Sequence, residues 1–245
     1  MKKFIFLFAM TVLIVYGHAN AAKLHFAEGE WVPYVSQDLH NNGVSAEIVS
    51  AALQAVGLDV EYSFYPWKRS LIMVEKGAAV GSFPWSKTPE RAKVLLYSDP
   101  IHSTREVLFY LKDRFPEGVE FKALPDLSSY VFGGTRGYWY EDYFIKHGLN
   151  VDYVADPETS FMKLEKGRVD FVPENELVGW SYLRKLFPGN ESKFGASRKA
   201  YRSEKMYVIF NKKKGRVPRN RFNEGLRIIR KNGVYDAILK KYNLK

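Results

Sequence analysis

Predicted strands and helices alternate in the first part of the chain, and this alternation constrains the fold more than any other feature of the sequence. Short apolar strands are predicted at 24–27, 60–64 and 80–83. A helical spacing of apolar residues that ends at Gly57 separates the first two strands, and a helix that begins at Pro66 separates the second pair. The resulting β-α-β-α-β order predicts an α/β sheet with helices on its faces.

The second part of the chain repeats this organisation. It begins with a predicted strand at 107–111, and further strands are predicted at 131–134, 151–154 and 169–172. The tripeptide Glu-Lys-Gly ends a predicted helix before a strand and a proline in both parts, at 75–77 and 165–167. We therefore predict two lobes of similar design that share a cleft, because ligands of open α/β sheets bind at the carboxyl ends of strands.

The stretch 80–100 carries the clearest predicted binding site. Its strand runs into Trp85, and the sequence TPER that follows predicts a helix start, with Thr88 as N-cap and Pro89 at the first helical position. Free backbone N–H groups, an aromatic ring and the Arg91 guanidinium are thereby predicted near one strand end, which suits a small carboxylate. The alternative is an ordinary strand–turn–helix joint with Arg91 in a surface ion pair.

The first 21 residues are predicted to be a cleaved export signal, with a charged start, an apolar run and Ala19-Asn20-Ala21 as a small-residue cleavage site. No later segment has the composition of a membrane span. The chain has no cysteine, which excludes disulfides, thiol catalysis and the lipid-attachment cysteine of an anchored lipoprotein. We predict an exported, unanchored monomer in the periplasm.

The charge pattern and the scattered polar residues exclude several classes of function. The formal net charge is +10, with a concentration of basic residues from Lys212 to Arg230. Export and the lack of a nucleic-acid motif argue against a nucleic-acid partner. The histidines lack the spacing of a metal site, so we predict neither a metal nor another cofactor. No nucleophile–base set is present, which argues against an enzyme.

Short motifs in a fixed order carry a family resemblance over nearly the whole predicted mature chain. They are PY at 33–34, TPER at 88–91, YSDP at 97–100, the strand and Gly-x-x-Gly segment at 131–137, GRVD at 167–170 and NG at 232–233. In this order they resemble the periplasmic solute-binding proteins of family 3, the soluble receptors of polar amino acid ABC importers.

The resemblance implies the two-lobed, type II periplasmic-binding-protein fold, in which two α/β lobes close on a ligand around a hinge. It implies a first lobe of residues 22–102 plus 213–245 and a second lobe of residues 103–212. The partner would be an ABC permease in the inner membrane.

The resemblance also implies the ligand contacts. Arg91 would clamp a ligand carboxylate in bidentate fashion, with Trp85 and Ser86 on the adjoining wall. Gly137 and Tyr138 would approach from the second lobe.

One position departs from the family pattern. The aspartate that usually binds the ammonium group of the ligand is replaced by Asn175, which carries no charge. Glu174 or Glu176 could take its place, so the identity of the ligand stays open.

Aromatic residues in predicted loops and helix starts form a further candidate set: Trp31, Tyr34, Trp67, Trp85, Tyr138, Trp139 and Tyr140. Their faces could contact an aliphatic, cyclic or cationic ligand, and the alternative is that they fill the core. Tyr34, Trp85 and Tyr138 are the best placed, and Arg69 is a candidate second anion contact.

Three functions are consistent with these residues. The first is capture of a small polar or carboxylate-bearing ligand, an amino acid or related molecule, for an ABC importer. The second is a sensory or partner-presenting periplasmic module without a transporter. The third is a dehydratase or lyase on the same fold, with Glu174 or Glu176 as general acid.

Overall fold

The structure is a computed structural model that describes residues 23–138, 140–242 and 244. The predicted export signal and Trp139 lie outside the described residues. The strands are β1 Leu24–Glu28, β2 Val60–Phe64, β3 Gly81–Ser86, β4 Leu95–Tyr97, β5 His102–Leu111, β6 Val131–Thr135, β7 Asn150–Val154, β8 Val172–Asn175, β9 Phe194–Ala196 and β10 Arg202–Asn211. The α-helices are α1 Val44–Gln54, α2 Trp67–Lys76, α3 Pro89–Val94, α4 Glu141–Lys146, α5 Pro157–Glu165, α6 Glu176–Leu186, α7 Arg216–Lys231 and α8 Val234–Lys241.

The first part of the chain forms the predicted β-α-β-α-β unit. Strand β1 lies between β2 and β3 and pairs with both in parallel. Parallel neighbours need a crossover connection, and α1 and α2 supply the two crossovers. Helix α2 ends at Gly77, which has a φ of 74°; glycine adopts this left-handed conformation without the steric cost of a side chain. The β1, β2 and β3 strand ends therefore share one edge of the sheet.

The second part of the chain is built on antiparallel pairs with β5 and on a separate two-stranded sheet. Strands β8 and β9 pair with β5 in antiparallel fashion, and β6 pairs with β7 in parallel. Strand β8 begins three residues later than the predicted strand at 169–172, because Asp170 bonds to Val131 of β6 through both its backbone and its carboxylate. This shift places Glu174 and Asn175 inside the strand rather than in the loop after it.

Two long strands, β5 and β10, connect the parts. They pair with each other from Glu106↔Arg202 to His102↔Met206. Beyond that segment, β10 pairs with β3 and β4, whereas β5 pairs with β8 and β9. The crossings therefore lie at 102–106 and 202–206. The predicted second boundary, after residue 212, differs from this pairing because 206–211 belong to the sheet of the first lobe.

Each lobe has its own apolar core. In the first lobe, Phe26, Phe83 and Phe210 pack with Phe222 of α7. Gly225 of α7 permits the close approach of α1, since a Cβ atom there would lie 1.8 Å from the carbonyl oxygen of Ala52.

The second lobe has two neighbouring apolar clusters, which include Phe132 and Phe171 in one and Phe109 and Phe161 in the other. The C-terminal helices α7 and α8 pack into the same core as β1 and β3. Among the described residues, no helix combines the length and the apolar character needed to cross a membrane.

Candidate functional site

The first lobe contributes an arginine that is held above an aromatic ring. Thr88 caps α3 by accepting a hydrogen bond from the Arg91 backbone at 3.3 Å, and Pro89 occupies the first turn, as predicted. The Arg91 Nη1 donates to the Ser86 carbonyl at 3.2 Å and to its hydroxyl at 3.4 Å. The guanidinium carbon lies 4.8 Å from the centroid of the Trp85 ring. The structure therefore brings Trp85, Ser86 and Arg91 together.

No carboxylate of the described residues pairs with Arg91, so most of its five N–H donors are available to a ligand. Trp85 is buried and donates from Nε1 to the Ser82 hydroxyl at 2.9 Å. Its ring meets Trp67 edge to face, with the centroids 5.2 Å apart. This half of the site is a cation on an aromatic wall, a combination suited to an anionic group with an apolar neighbour.

A buried carboxyl lies behind that wall. Glu28, at the end of β1, accepts hydrogen bonds from the Phe83 backbone at 3.0 Å and from the Ser82 hydroxyl at 3.3 Å. Burial raises the pKa of Glu28 well above its ordinary value. Because Ser82 also bonds to Trp85, Glu28 helps to orient the tryptophan ring.

The second lobe contributes two carboxyls and a carboxamide, from the middle of β5 and the end of β8. Asn175 lies opposite Glu106 in the sheet and donates to it from Nδ2 at 3.2 Å. The Glu174 carboxylate accepts from the Asn175 backbone at 2.8 Å. The Asn175 carbonyl oxygen also caps α6 by accepting from the Val178 backbone at 3.4 Å. Asn175 is thus fixed by bonds on both of its amide atoms.

This half of the site is acidic and largely dry. Burial raises the pKa of Glu174 to about 8, and the charge of Glu106 adds to the shift. Burial likewise raises the pKa of Glu106. Burial raises the pKa of Tyr138, and the nearby charge of Glu174 raises it further. The charge of Arg202 acts against the rise in the Glu106 pKa, whereas no cation of the described residues is among the causes that shift the pKa of Glu174.

One tyrosine connects the two lobes. The Tyr34 hydroxyl, from the loop after β1, donates to the Asn175 carbonyl oxygen at 2.9 Å. The Tyr34 ring lies between two other rings: it stacks on His102 at a centroid distance of 5.1 Å, and the tilted ring of Trp31 lies at 4.4 Å on the other side. His102 is fixed by a 2.8 Å hydrogen bond to the Ser45 hydroxyl, and burial lowers its pKa to about 4. The lobes are therefore in direct contact beside the candidate site.

Three predicted candidates have other surroundings. Arg69 is exposed and lies over the Tyr65 ring at 4.6 Å. The Gly137 backbone N–H donates to the Glu141 carboxylate at 2.7 Å, so a ligand would have to compete for it. Glu176 forms a 2.8 Å ion pair with Arg105 rather than joining Glu174.

Sequence reasoning missed Glu28, Glu106 and His102. Glu106 and His102 share one face of β5 by strand alternation, and this alternation was the one available signal. Among the described residues, no three histidine, aspartate or glutamate side chains come together as metal ligands would.

Comparison with known proteins decides the family. The sequence model of the bacterial extracellular solute-binding proteins, family 3, matches residues 26–245. The chain belongs to this family. Its members are binding proteins of the extracellular or periplasmic space, so this is a solute-binding protein. A comparison with proteins of curated function gave no match.

Solved structures share the fold at low sequence identity. A second substrate-binding domain of a putative amino acid ABC transporter from Streptococcus pneumoniae is 21% identical, with a TM-score of 0.73 over 90% of this chain and 99% of that one. The second substrate-binding domain of GlnP from Lactococcus lactis, in an open conformation, is 21% identical, with a TM-score of 0.70 over 90% and 95%.

A third similar structure is the ligand-binding core of GluR0 from Nostoc punctiforme in complex with L-glutamate. It is 20% identical, with a TM-score of 0.65 over 91% of this chain and 100% of that one. The solute-binding protein therefore has the two-lobed, type II periplasmic-binding-protein fold that the sequence motifs implied.

Proposed function

We propose that this protein captures a small carboxylate-bearing solute, an amino acid or a related molecule, between its two lobes and presents it to an ABC importer. The observation that carries the proposal is the unpaired Arg91 guanidinium, held by Ser86 above the Trp85 ring. An arginine without a carboxylate partner binds a ligand carboxylate through two parallel hydrogen bonds.

The second half of the proposed site would meet the opposite end of the ligand. Asn175 stands where the family usually has an aspartate, and here its amide atoms are bonded to Tyr34 and Glu106. Glu174 and Tyr138 are then the groups left for the ligand. A Glu174 with a pKa of about 8 is protonated at neutral pH and donates a hydrogen bond, and it ionises if the ligand brings a positive charge.

Closure is the proposed response to the ligand. The 2.9 Å bond from Tyr34 to Asn175 joins the lobes next to the site. The proposed hinge is the paired segments 102–106 and 202–206, where β5 and β10 pass from one lobe to the other. A ligand that contacts both lobes favours the closed arrangement by its differential affinity for it.

An ABC permease in the inner membrane is the proposed partner, and the proposed compartment is the periplasm. Two of the similar structures are substrate-binding domains of ABC transporters, which supports the first assignment. The predicted export signal supports the second. We propose that the protein acts as a monomer.

A thermal-shift screen of the mature protein against amino acids, organic acids and short peptides tests the proposal. A cognate ligand at a hundred times its Kd should raise the free energy of unfolding by about 2.7 kcal/mol. The shift should disappear in Arg91→Ala and persist in Arg227→Ala, an exposed arginine of α7. An equal shift in both variants would mean that the ligand does not bind at Arg91 in the first lobe.

A lyase on the same fold is the second candidate, because a protonated carboxyl such as Glu174 is what acid-catalysed elimination needs. The ligand found in the screen should be recovered unchanged after incubation with the protein, as followed by proton NMR. If the ligand is instead converted to a product, and this conversion is lost in Glu174→Gln, then the protein is a lyase and not only a binding protein.

A further inference from the structure

A second space between the lobes lies apart from the proposed ligand site. It is a groove of about 1000 Å³, and the Tyr34 ring forms part of its wall. Arg91, Trp85, Tyr138 and Glu174 do not line it. Tyr34 therefore faces this groove with its ring and contacts the carboxyl-rich site with its hydroxyl.

The walls of the groove come from both lobes and from the crossing strand. The first lobe supplies Tyr34 and the end of the chain around Leu239 and Tyr242. The second lobe supplies Leu177 and Trp180 of α6. The segment 102–105 of β5 lies between them. Because the two walls move relative to each other when the lobes move, the groove exists in this shape only in the arrangement described here.

Positive charge surrounds the groove. Among the described residues, Arg105, Arg184 and Lys241 line it, together with one carboxylate, that of Glu176. Arg105 is paired with Glu176 at 2.8 Å, and Lys241 is paired with Glu47, which does not line the groove. Arg184 is exposed and has no partner among the described residues. Two of the three cations are thus paired, and Arg184 supplies the one unpaired positive charge for an incoming anion.

The charged and the apolar groups are separated by depth. The side chains of Arg105 and Lys241 are each 44% exposed, so they stand at the mouth. Tyr34 is 1% exposed, His102 5% and Leu177 8%, so they form a buried floor. An inorganic anion would use the mouth and leave the floor empty, whereas a cation would be repelled.

We propose that this groove is a second binding site, for an organic anion with an apolar body such as an aromatic or medium-chain carboxylate. The apolar body would lie against Leu177, Trp180 and Leu239, and the anionic group would lie between Arg184 and Lys241. Occupancy would stabilise the contact between the lobes, since the bound molecule touches both. By linkage, an anion in the groove would then change the affinity of the main site for its ligand by a certain factor. The main ligand would change the affinity of the groove for the anion by the same factor.

The test uses 1-anilinonaphthalene-8-sulfonate as the probe, with decanoate as competitor. Saturable fluorescence enhancement that decanoate displaces is expected for the mature protein. The double variant Arg184→Glu/Lys241→Glu should lower the affinity for the probe by about tenfold, because two attractive charges become repulsive. The control Arg227→Glu/Lys231→Glu makes the same charge change at exposed positions of α7 and should leave the affinity unchanged. Equal affinity in all three proteins, or the lack of saturable binding, would overturn the site.

Two further measurements separate this site from the main one. Arg91→Ala should retain probe binding, so failure of the main-site proposal leaves this one standing; loss of probe binding in that variant would mean that the probe occupies the main cleft. Decanoate should slow amide hydrogen exchange both in residues 31–35 and in residues 176–180. Slowing on one wall alone would contradict the coupling to lobe contact.

Discussion

The two halves of the candidate site differ in charge and in how the chain builds them. The first-lobe half is one continuous stretch, from Trp85 to Arg91, and it presents a cation. The second-lobe half joins Glu106 to Glu174 and Asn175, and it presents carboxyls with raised pKa values. A ligand that fits both halves has a carboxylate at one end and a hydrogen-bonding or cationic group at the other. The site therefore selects for the orientation of its ligand.

Removal of the cationic half should have the largest effect. Arg91→Ala is expected to weaken binding of the ligand from the thermal-shift screen by on the order of 2–5 kcal/mol, because a charged hydrogen-bonding partner is lost from a dry site. Arg91→Lys should recover only part of this, since an ammonium cannot form the bidentate pair. Calorimetric titration measures both, with Arg227→Ala as the control. Undiminished affinity in Arg91→Ala would show that the carboxylate binds elsewhere.

The acidic half should make the stability of the protein depend on pH. The pKa of Glu174 is about 8 in the folded chain, against an ordinary value of 4.5. Between these two pH values, Glu174 therefore holds a proton in the folded state that it has lost in the unfolded state. The free energy of unfolding should therefore fall as the pH rises from 6.5 to 8, by on the order of 1–2 kcal/mol. His102 has the opposite effect, but only between pH 4 and 6.5, because burial lowers its pKa from 6.5 to about 4.

Urea denaturation at pH 6.5 and at pH 8 measures this difference. Glu174→Gln should reduce the dependence, and Glu28 and Glu106 should retain a slope of the same sign because burial raises their pKa values too. Glu117→Gln, in an exposed loop, is the matched control. If the free energy of unfolding depends on pH equally in Glu174→Gln and Glu117→Gln, then Glu174 is ionised in the folded protein.

The contact between the halves should contribute less than either half. Tyr34→Phe removes the hydroxyl that donates to Asn175 but keeps the ring between Trp31 and His102. The expected loss of ligand affinity is about 1 kcal/mol, the net value of one hydrogen bond. Calorimetry checks it, and Tyr143→Phe, on the surface of α4, serves as the control. A loss as large as that of Arg91→Ala would make Tyr34 a direct ligand contact.

The smallest effect is expected from the cap of α3. Thr88→Ala removes the 3.3 Å bond to the Arg91 backbone, and it should lower stability by about 0.5–1 kcal/mol. Thr88→Ser keeps the hydroxyl and should behave like the native protein in urea denaturation. If Thr88→Ala weakens ligand binding more than it weakens folding, then the cap also positions the Arg91 side chain.

The same difference between the halves explains what could be predicted from the sequence. Thr88, Pro89 and Arg91 are local neighbours, and the rules for capping a helix depend on residues only a few positions apart. The bond from Asn175 to Glu106 spans 69 positions and depends on the register between β5 and β8. The bond from Tyr34 to Asn175 spans 141 positions. Neither register nor lobe contact leaves a local pattern in the chain.

The crossing between the lobes depends on strand pairing in the same way. Strand β10 runs from Arg202 to Asn211 without a break and changes partners along its length, from β5 to β3 and β4. The strand stays within one sheet, and no glycine or proline interrupts it where its partners change. Its residues do change from polar to apolar at Met206, but that pattern alone does not say which strands pair with either part. The fold class, by contrast, depends on the order of strands and helices, which the alternation of apolar segments does carry.

Residue Gly225, where α7 meets Ala52 of α1, has a consequence for the order in which the protein can assemble. The apolar face of α1 is covered only once α7 has been synthesised, whereas the second-lobe strands and helices precede α7 in the chain. Domains generally fold as soon as their parts are present. The first lobe is thus completed after the second. Until α7 is added, the apolar face of α1 stays exposed, and that is where a chaperone would protect the growing chain.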